Sequence, residues 1–332
     1  MPEKLIITNG DNAVLRMQQA GIVGEFLPWR DALHDGPVPA GLLFEARSIV
    51  RTSYLANTLG YSLHVLGRDF AERNATARNH GQYDRVELWF EPDLYDQLQL
   101  IELLDFFADE KRKEGLFLVQ ADELIAPASL DAVRDFAEKI TPITTAHLDS
   151  GRRAWQAFTA RTPEDMAELA KKENATLPYL APALQRFLLE LPALGSGLSL
   201  TEERALNVLL AGQRTVLELF RASQTREQAP FLGDLGFFHR IETMAFAPQP
   251  LLAGVTVRAS AAVGGPTTPD YQTFAMSRVR LTEEGRAALS GRFDHAATNG
   301  IDRWFGGTHL NPKNLWRRDK DGIPVPPWSM RS

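Results

Sequence analysis

The chain has 332 residues, of which 44% are hydrophobic and 23% are charged, and its formal net charge is -6 at pH 7. These fractions are typical of an ordered globular protein of about two domains, and they exclude an intrinsically disordered chain. The absence of cysteine excludes disulfides, thiolate nucleophiles and cysteine-ligated metal sites.

The chain begins without a positively charged segment followed by an apolar stretch, and no run of about 18 apolar residues occurs in it. We therefore expect no signal peptide, no membrane-spanning helix and a cytoplasmic location. The mildly acidic balance predicts no general attraction to nucleic acid or to an anionic membrane, so either contact needs a local basic patch.

The first half of the chain alternates short apolar runs with helical patterns. The predicted strands are residues 4–8, 25–29, 85–90, 115–120 and 144–148. The predicted helices are residues 12–19, 42–59, 94–107 and 130–140. Strands that alternate with helices predict an α/β fold, here a Rossmann-like domain with a mainly parallel sheet over residues 1–150.

The sequence pattern changes near residues 150–151, where we expect a domain boundary. Residues 151–225 predict a helical segment, including a helix that starts with a capping Thr201. The rest of the chain, residues 226–332, predicts a helix, two strands and a further helix. These are residues 234–244, 250–257 and 273–281, with a connection at 264–269, and a helix that starts at Thr282. This order is typical of a winged-helix-like C-terminal region.

Asn9, Gly10 and Asp11 follow the first predicted strand and lead directly into a helix. Parallel sheets bind ligands outside the carboxyl ends of their strands, and a helix N-terminus at that edge offers N–H groups to a phosphate. The three residues are therefore candidate ligand-binding residues. The alternative is that Asp11 only caps the helix.

Polar residues also follow the second predicted strand, in the segment WRDALHDGPVP at residues 29–39. A histidine between carboxylates is a candidate general base, which makes His34 and Asp31 candidate catalytic residues. Trp29 and Asp35 are candidate ligand-binding residues in the same segment. The alternative is a surface loop whose side chains only support a turn.

The segment EPDLYDQ follows the strand at residues 85–90 and supplies two further candidate catalytic residues, Glu91 and Asp93. Carboxylates are preferred ligands of Mg²⁺, so Asp93 and Asp11 are candidate metal ligands with Mg²⁺ as the cofactor. The alternative is that the acidic residues only favour the start of the next helix. The P-loop, HExxH, GxSxG and GxGxxG signatures are missing.

The segment RWFGGTHL at residues 303–310 predicts a tight turn beside packed aromatic side chains, as in a clasp that docks on another domain. Residues 274–332 contain ten basic and six acidic residues. This surplus permits contact with nucleic acid but does not demand it.

Five segments, ITNGD, LPWRDALHDGPVP, LWFEPDLYDQLQL, LPYLAPALQRFL and RWFGGTHL, together resemble a bacterial family called domain of unknown function 1835. The resemblance covers nearly the whole chain, and residues 1–130 carry its most specific motifs. It implies a fold and a class of bacterial protein, but no reaction and no catalytic residue. The chain departs from the family pattern at Pro92, because we expect other members of the family to have a histidine at that position.

Three hypotheses about function stay open at this point. The first is a metal-assisted enzyme that acts on a phosphorylated or nucleotide-like small molecule, with His34 as the base. The second is a ligand-sensing regulatory protein whose winged-helix-like region contacts DNA or a partner. Its helix at residues 234–244 offers only His239 and Arg240 for base contacts, which weakens the case for DNA. The third is an interaction protein whose polar motifs are caps and turns.

Overall fold

A computed structural model of the protein describes residues 4–262 and 266–330. Over these residues the chain is a mixed α/β structure that combines a five-stranded, mostly parallel sheet with 14 α-helices. Within the same two ranges no helix is both long enough and apolar enough to cross a membrane.

The main sheet belongs to the N-terminal part of the chain. Its strands are β1 (Lys4–Thr8), β2 (Glu25–Pro28), β3 (Arg85–Phe90), β4 (Leu116–Gln120) and β5 (Thr141–Pro142). Their order is β2-β1-β3-β4-β5, and all neighbours pair in parallel except β5, which is antiparallel to β4. The strand order reverses between β1 and β3, so the carboxyl ends of these two strands border a crevice. The first four predicted strands are therefore confirmed.

Five helices accompany this sheet. They are α1 (Asp11–Gln19), α2 (Phe44–Leu59), α3 (Leu63–Arg78), α4 (Leu94–Asp109) and α5 (Leu130–Glu138). Side chains alternate between the two faces of a strand, and Ile6 packs in one core with α1 and α5 while its neighbours in β1 pack in the core that contains α4. Because α4 is covered by the sheet on one side and by further helices on the other, it is apolar over most of its surface.

Nine further helices follow. They are α6 (Thr145–Thr159), α7 (Glu164–Ala170), α8 (Leu180–Leu188), α9 (Leu200–Val208), α10 (Val216–Gln224), α11 (Asp234–Ala245), α12 (Pro269–Ala275), α13 (Glu283–Leu289) and α14 (His295–Thr298). The expected boundary at residues 150–151 lies inside α6, which crosses α4 closely. At the crossing, a Cβ on Gly151 would lie 2.2 Å from Cβ of Leu104, so glycine here permits helix contact.

Two predictions in this half are wrong in detail. Residues 144–148 are not a strand, because Thr144 and His147 form a capping box at the start of α6. Thr201 does not cap α9; Ser199 does, through reciprocal hydrogen bonds with Glu202. The predicted start at Thr282 is confirmed, since its hydroxyl accepts a hydrogen bond from the backbone N–H at the third position of α13.

The remaining strands are short. They are β6 (Arg214–Thr215), β7 (Leu252–Ala253), β8 (Arg278–Leu281), β9 (Arg303–Phe305), β10 (Thr308–Leu310), β11 (Arg317–Arg318) and β12 (Pro324–Val325). Strands β6, β8 and β7 form an antiparallel sheet in that order. The predicted strand at 250–257 is therefore much shorter, and the one at 273–281 begins as the helix α12. The predicted connection at 264–269 lies partly outside the described residues.

The hairpin of β9 and β10 contains the tight turn that the segment at residues 303–310 predicts. Its turn inserts between two other segments, because Gly306 O accepts a hydrogen bond from Val38 N and Gly307 N donates one to Phe158 O, both at 3.0 Å. The hairpin thus ties the C-terminal part of the chain to the loop after β2 and to the end of α6.

Candidate functional site

A cleft of about 270 Å³ opens where the chain leaves β1 and β3. Its walls come from the turn between β1 and α1, the turn between β3 and α4, the loop at residues 124–127 after β4, and residues 230–231 ahead of α11. The cleft lies at the point where the strand order reverses, which is where open α/β sheets bind ligands. We call it the sheet-edge cleft.

Three buried carboxyl groups meet in this cleft, from Glu91, Asp93 and Asp96. Each offers an oxygen atom, and these atoms all lie within 4.8 Å of one another. Glu91 directly follows β3, Asp93 is the N-cap of α4, and Asp96 lies in its first turn. We call these three residues the carboxylate cluster.

Backbone N–H groups and an amide hold the carboxylate cluster in place. Glu91 N donates to Asp96 Oδ1 at 2.8 Å, and Asp96 N donates to Asp93 Oδ1 at 3.2 Å. Ile125 N donates to Glu91 Oε1, and Asn9 Nδ2 donates to Asp96 Oδ2, both at 2.8 Å. The turns after β1, β3 and β4 therefore converge on the same three carboxyl groups.

The electrostatics of the cluster disfavour three negative charges. Burial raises the pKa of Glu91, and burial together with the Glu91 charge raises the pKa of Asp93 to about 8. Burial, followed by the charges of Asp93 and Glu91, raises the pKa of Asp96 well above 3.8. No lysine or arginine is among the largest causes of these shifts, and the raised pKa values favour protonated carboxyl groups at neutral pH unless a cation replaces the protons.

The N-terminus of α1 opens onto the same cleft, which Gly10 and Asn12 line. Gly10 is the N-cap residue and has no side chain with which to cap this end of the helix. Asp11 also lines the cleft, but its carboxylate pairs with Arg30 through contacts of 2.6 and 2.8 Å and lies outside the carboxylate cluster. Arg30, which follows β2, therefore pairs with the same Asp11 carboxylate that the sequence predicts as a helix cap or a metal ligand.

The segment at residues 29–39 is largely buried, so the surface-loop alternative is wrong for most of it. Trp29 Nε1 donates a hydrogen bond to Glu102 at 2.8 Å. The Asp31 carboxylate pairs with the buried Arg51 of α2 at 2.8 Å. Neither Trp29 nor Asp31 lines the sheet-edge cleft, because each is turned toward a partner inside the protein.

His34 and Asp35 also lie outside the cleft wall. The His34 ring packs edge-on against Phe231 and Tyr95, with centroids 5.1 and 5.9 Å away, and these two residues do line the cleft. Burial lowers the pKa of His34 to about 4, so the ring is neutral at pH 7. Asp35 faces Arg240 of α11 at 3.5 Å.

The structure thus divides the predicted site into two groups. The residues that line the cleft are Asn9, Gly10, Asp11, Glu91 and Asp93. The residues that do not are Trp29, Asp31, His34 and Asp35.

Sequence reasoning missed Asp96 as a member of the cluster, although its spacing from Asp93 carried a signal. Residues three apart are neighbours on a helix, so a cap and an acidic first-turn residue share one side. Phe231 carried no such signal, because it comes from a distant part of the chain.

No protein-family model matches this chain, and no curated protein is significantly similar to it. The resemblance to domain of unknown function 1835 therefore stays a prediction. The function has to be argued from the geometry of the cleft.

Proposed function

We propose that the protein is an enzyme that binds Mg²⁺ at the carboxylate cluster and acts on a small phosphorylated molecule in the sheet-edge cleft of a Rossmann-like sheet. The observation that carries the proposal is a buried cluster of three carboxyl groups without a basic partner among the described residues, beside a helix N-terminus whose N-cap residue is a glycine. Buried charges are normally paired or bound to a metal ion, and no lysine or arginine in the described parts of the chain forms an ion pair with these carboxyl groups.

The residues fit Mg²⁺ by their chemistry. Mg²⁺ prefers oxygen ligands, commonly one or two carboxylates together with substrate phosphate oxygens and water. Glu91, Asp93 and Asp96 supply only oxygen donors, and their backbone hydrogen bonds fix them before any ion arrives. When bound, the ion would neutralise phosphate oxygens and polarise the bond to phosphorus.

The helix α1 supplies the second half of the proposed site. A helix N-terminus attracts anions through its N–H groups and its dipole, and Gly10 places no side chain in the approach. The cleft volume of about 270 Å³ lies just below the range typical of drug-sized ligands, so it favours a small phosphorylated molecule over a whole nucleotide. We assign His34 a positioning role, because it supports Tyr95 and Phe231 from behind.

A second candidate is a ligand-sensing protein with a docked winged-helix-like module. The order α9, β6, α10, α11, β7, α12 and β8, with the sheet order β6-β8-β7, resembles a winged helix with α12 inserted before its last strand, which supports this candidate. The helix α11 would then be the recognition helix, yet its Phe238 and Arg240 are buried, which favours docking over contact with nucleic acid. Phe231 lines the cleft just before α11, so a ligand there would contact the module directly.

Calorimetric titration of the full chain with MgCl₂ tests the proposal. We expect one binding site, and we expect Asp93→Asn to weaken it by more than about tenfold. Asp122→Asn is the matched control, because Asp122 follows β4 but is exposed and pairs only with Lys139 at 3.2 Å. If wild type binds no Mg²⁺, or if both variants bind it equally well, the proposal is wrong.

A phosphate assay separates the two candidates. We expect inorganic phosphate to bind only when Mg²⁺ is present, and we expect small phosphate monoesters to release phosphate over time. Binding of Mg²⁺ and of the monoesters without any turnover would favour the ligand-sensing protein over the enzyme.

A further inference from the structure

A second and larger cavity, of about 530 Å³, lies between α2, α11 and the chain from α14 to β9. It shares no lining residue with the sheet-edge cleft. Its volume is in the range of pockets that bind small molecules. We call it the α11 cavity.

The wall of the α11 cavity contains a buried arginine with unused hydrogen-bonding capacity. Arg240 is only 6% exposed. Its closest ion pair is with Asp35, at the long distance of 3.5 Å, and its Nε has no hydrogen-bond partner in the described parts of the chain. The Nε is itself enclosed by protein, but the Nη groups of Arg240 also donate no hydrogen bond to the described residues. Because buried guanidinium groups normally use their donors, unused Nη groups beside a cavity indicate a place for an acceptor.

A second guanidinium shares this wall. Arg303 contacts Glu202 at 3.4 Å and donates to the backbone oxygen of Glu190 at 2.7 Å. Burial and the neighbouring charge of Arg240 lower the pKa of Arg303. The charges of Glu202, Glu190 and Asp35 act on that pKa in the opposite direction, so the two cations and these carboxylates form one buried charge network beside the cavity.

His295 adds a neutral hydrogen-bond donor. Gln249 N donates to Asn299 Oδ1 at 2.8 Å, which fixes the orientation of that amide group. The amide Nδ2 of Asn299 then lies 2.9 Å from His295 Nδ1, which must accept from it. Burial lowers the pKa of His295, so its ring is neutral at pH 7 and carries its proton on Nε2.

We propose that the α11 cavity binds the carboxylate group of a small organic molecule, with Arg240 as its main partner. A carboxylate matches the planar donor pattern of a guanidinium, so it can accept from the Nη groups of Arg240. Four carboxylates also line the cavity, those of Asp35, Glu202, Glu242 and Asp302. Their charges repel a doubly charged phosphate more strongly than a singly charged carboxylate.

Thermal unfolding with sodium benzoate at constant ionic strength, in EDTA, tests this proposal. A ligand that binds only the folded state raises its stability in a saturable way. We expect a saturable rise of Tm in wild type and its loss in Arg240→Gln. Arg78→Gln is the matched control, since Arg78 pairs with Glu45 on the surface, away from the cavity, and should keep the full rise.

Because Arg240→Gln can fail to fold, Thr58→Phe provides an independent test. Thr58 lines the α11 cavity and forms no ion pair there, so the larger ring fills the space without removing a charge. We expect this folded variant to lose the effect of benzoate. The absence of any rise in wild type, or an equal rise in all variants, would overturn the proposal. A larger rise with inorganic phosphate than with benzoate would overturn the choice of a carboxylate.

Discussion

Replacing Asp93 with asparagine tests whether the carboxylate cluster destabilises the metal-free protein. Asp93 Oδ1 accepts a hydrogen bond from Asp96 N as the N-cap of α4, and asparagine keeps that oxygen and is an equally good cap. The substitution therefore removes a titratable group and leaves the helix start intact. We expect Asp93→Asn to raise the free energy of unfolding at pH 7.5 in the absence of divalent cations.

The expected size follows from the raised pKa of Asp93. Burial, with the Glu91 charge, moves this pKa from 3.8 to about 8 in the folded protein. The folded state then holds a proton that the unfolded chain releases, so the stability contributed below pH 3.8 is lost as the pH rises toward 8. At about 1.36 kcal/mol per pH unit the loss at pH 7.5 is at most about 5 kcal/mol. Hydration of the ionised group reduces it, and we expect about 2–3 kcal/mol.

Urea unfolding followed by circular dichroism, in EDTA at pH 4.5, 6.0 and 7.5, measures this difference. The advantage of Asp93→Asn over wild type should be smallest at pH 4.5 and should grow with pH. Saturating Mg²⁺ should then stabilise wild type more than the variant. An advantage that does not change with pH, or a variant less stable than wild type at pH 7.5 in EDTA, would refute the reasoning.

Two further substitutions test the structural roles of Trp29 and Gly307. Trp29→Phe removes the buried hydrogen bond to Glu102 and should cost about 2–3 kcal/mol in urea unfolding, while Mg²⁺ binding measured by calorimetry stays unchanged. Gly307→Ala should destabilise the protein more than a typical surface substitution, because its Cβ would lie 1.8 Å from the backbone oxygen of Thr159; a thermal melt equal to that of wild type would contradict this.

The four parallel strands could be predicted from the sequence because they are short apolar runs between clear breaks. The short strand β5 could not, and neither could the helix α3, because the face that α3 buries is partly polar. Leu63 and Val65 are more than half exposed, while Arg73 and Asn74 are buried. The buried residues of α3, which are Phe70, Arg73, Asn74 and Ala77, keep the helical spacing, but two of them are polar and hide the hydrophobic pattern. Arg73 stacks on Trp29 at 4.0 Å from its ring centroid.

The wrong strand predictions have local physical causes. The segment at residues 144–148 begins with two β-branched threonines, but Thr144 and His147 close a capping box that starts a helix. The segment at 273–281 joins the end of α12 to β8, and Pro269 in the first turn of that helix was the available signal. In both places the chemistry of the helix start decides the structure over strand propensity.

The sheet-edge cleft could be predicted in part, because the carboxyl ends of parallel strands lie at one edge of the sheet whatever conformation their loops adopt. This topology brings Asn9 and Asp11 to the same cleft as Glu91 and Asp93. The sheet topology does not predict which of the loops that follow the strands is buried. The burial of residues 29–39 depends on α2 and α11, whose contact with this loop comes only from the tertiary fold.

The acidic residues after β2 and those after β3 differ in whether they have a positively charged partner. Asp31 meets Arg51, and Asp35 meets Arg240, so the carboxylates of that loop stabilise the packing of α2 and α11. The carboxylate cluster has no such partner within the described ranges, and its pKa values rise. Both groups look alike in the sequence, since each is a run of carboxylates after a strand. A buried carboxylate that has an arginine is explained by the fold, whereas a cluster that has none still requires a cation or a proton.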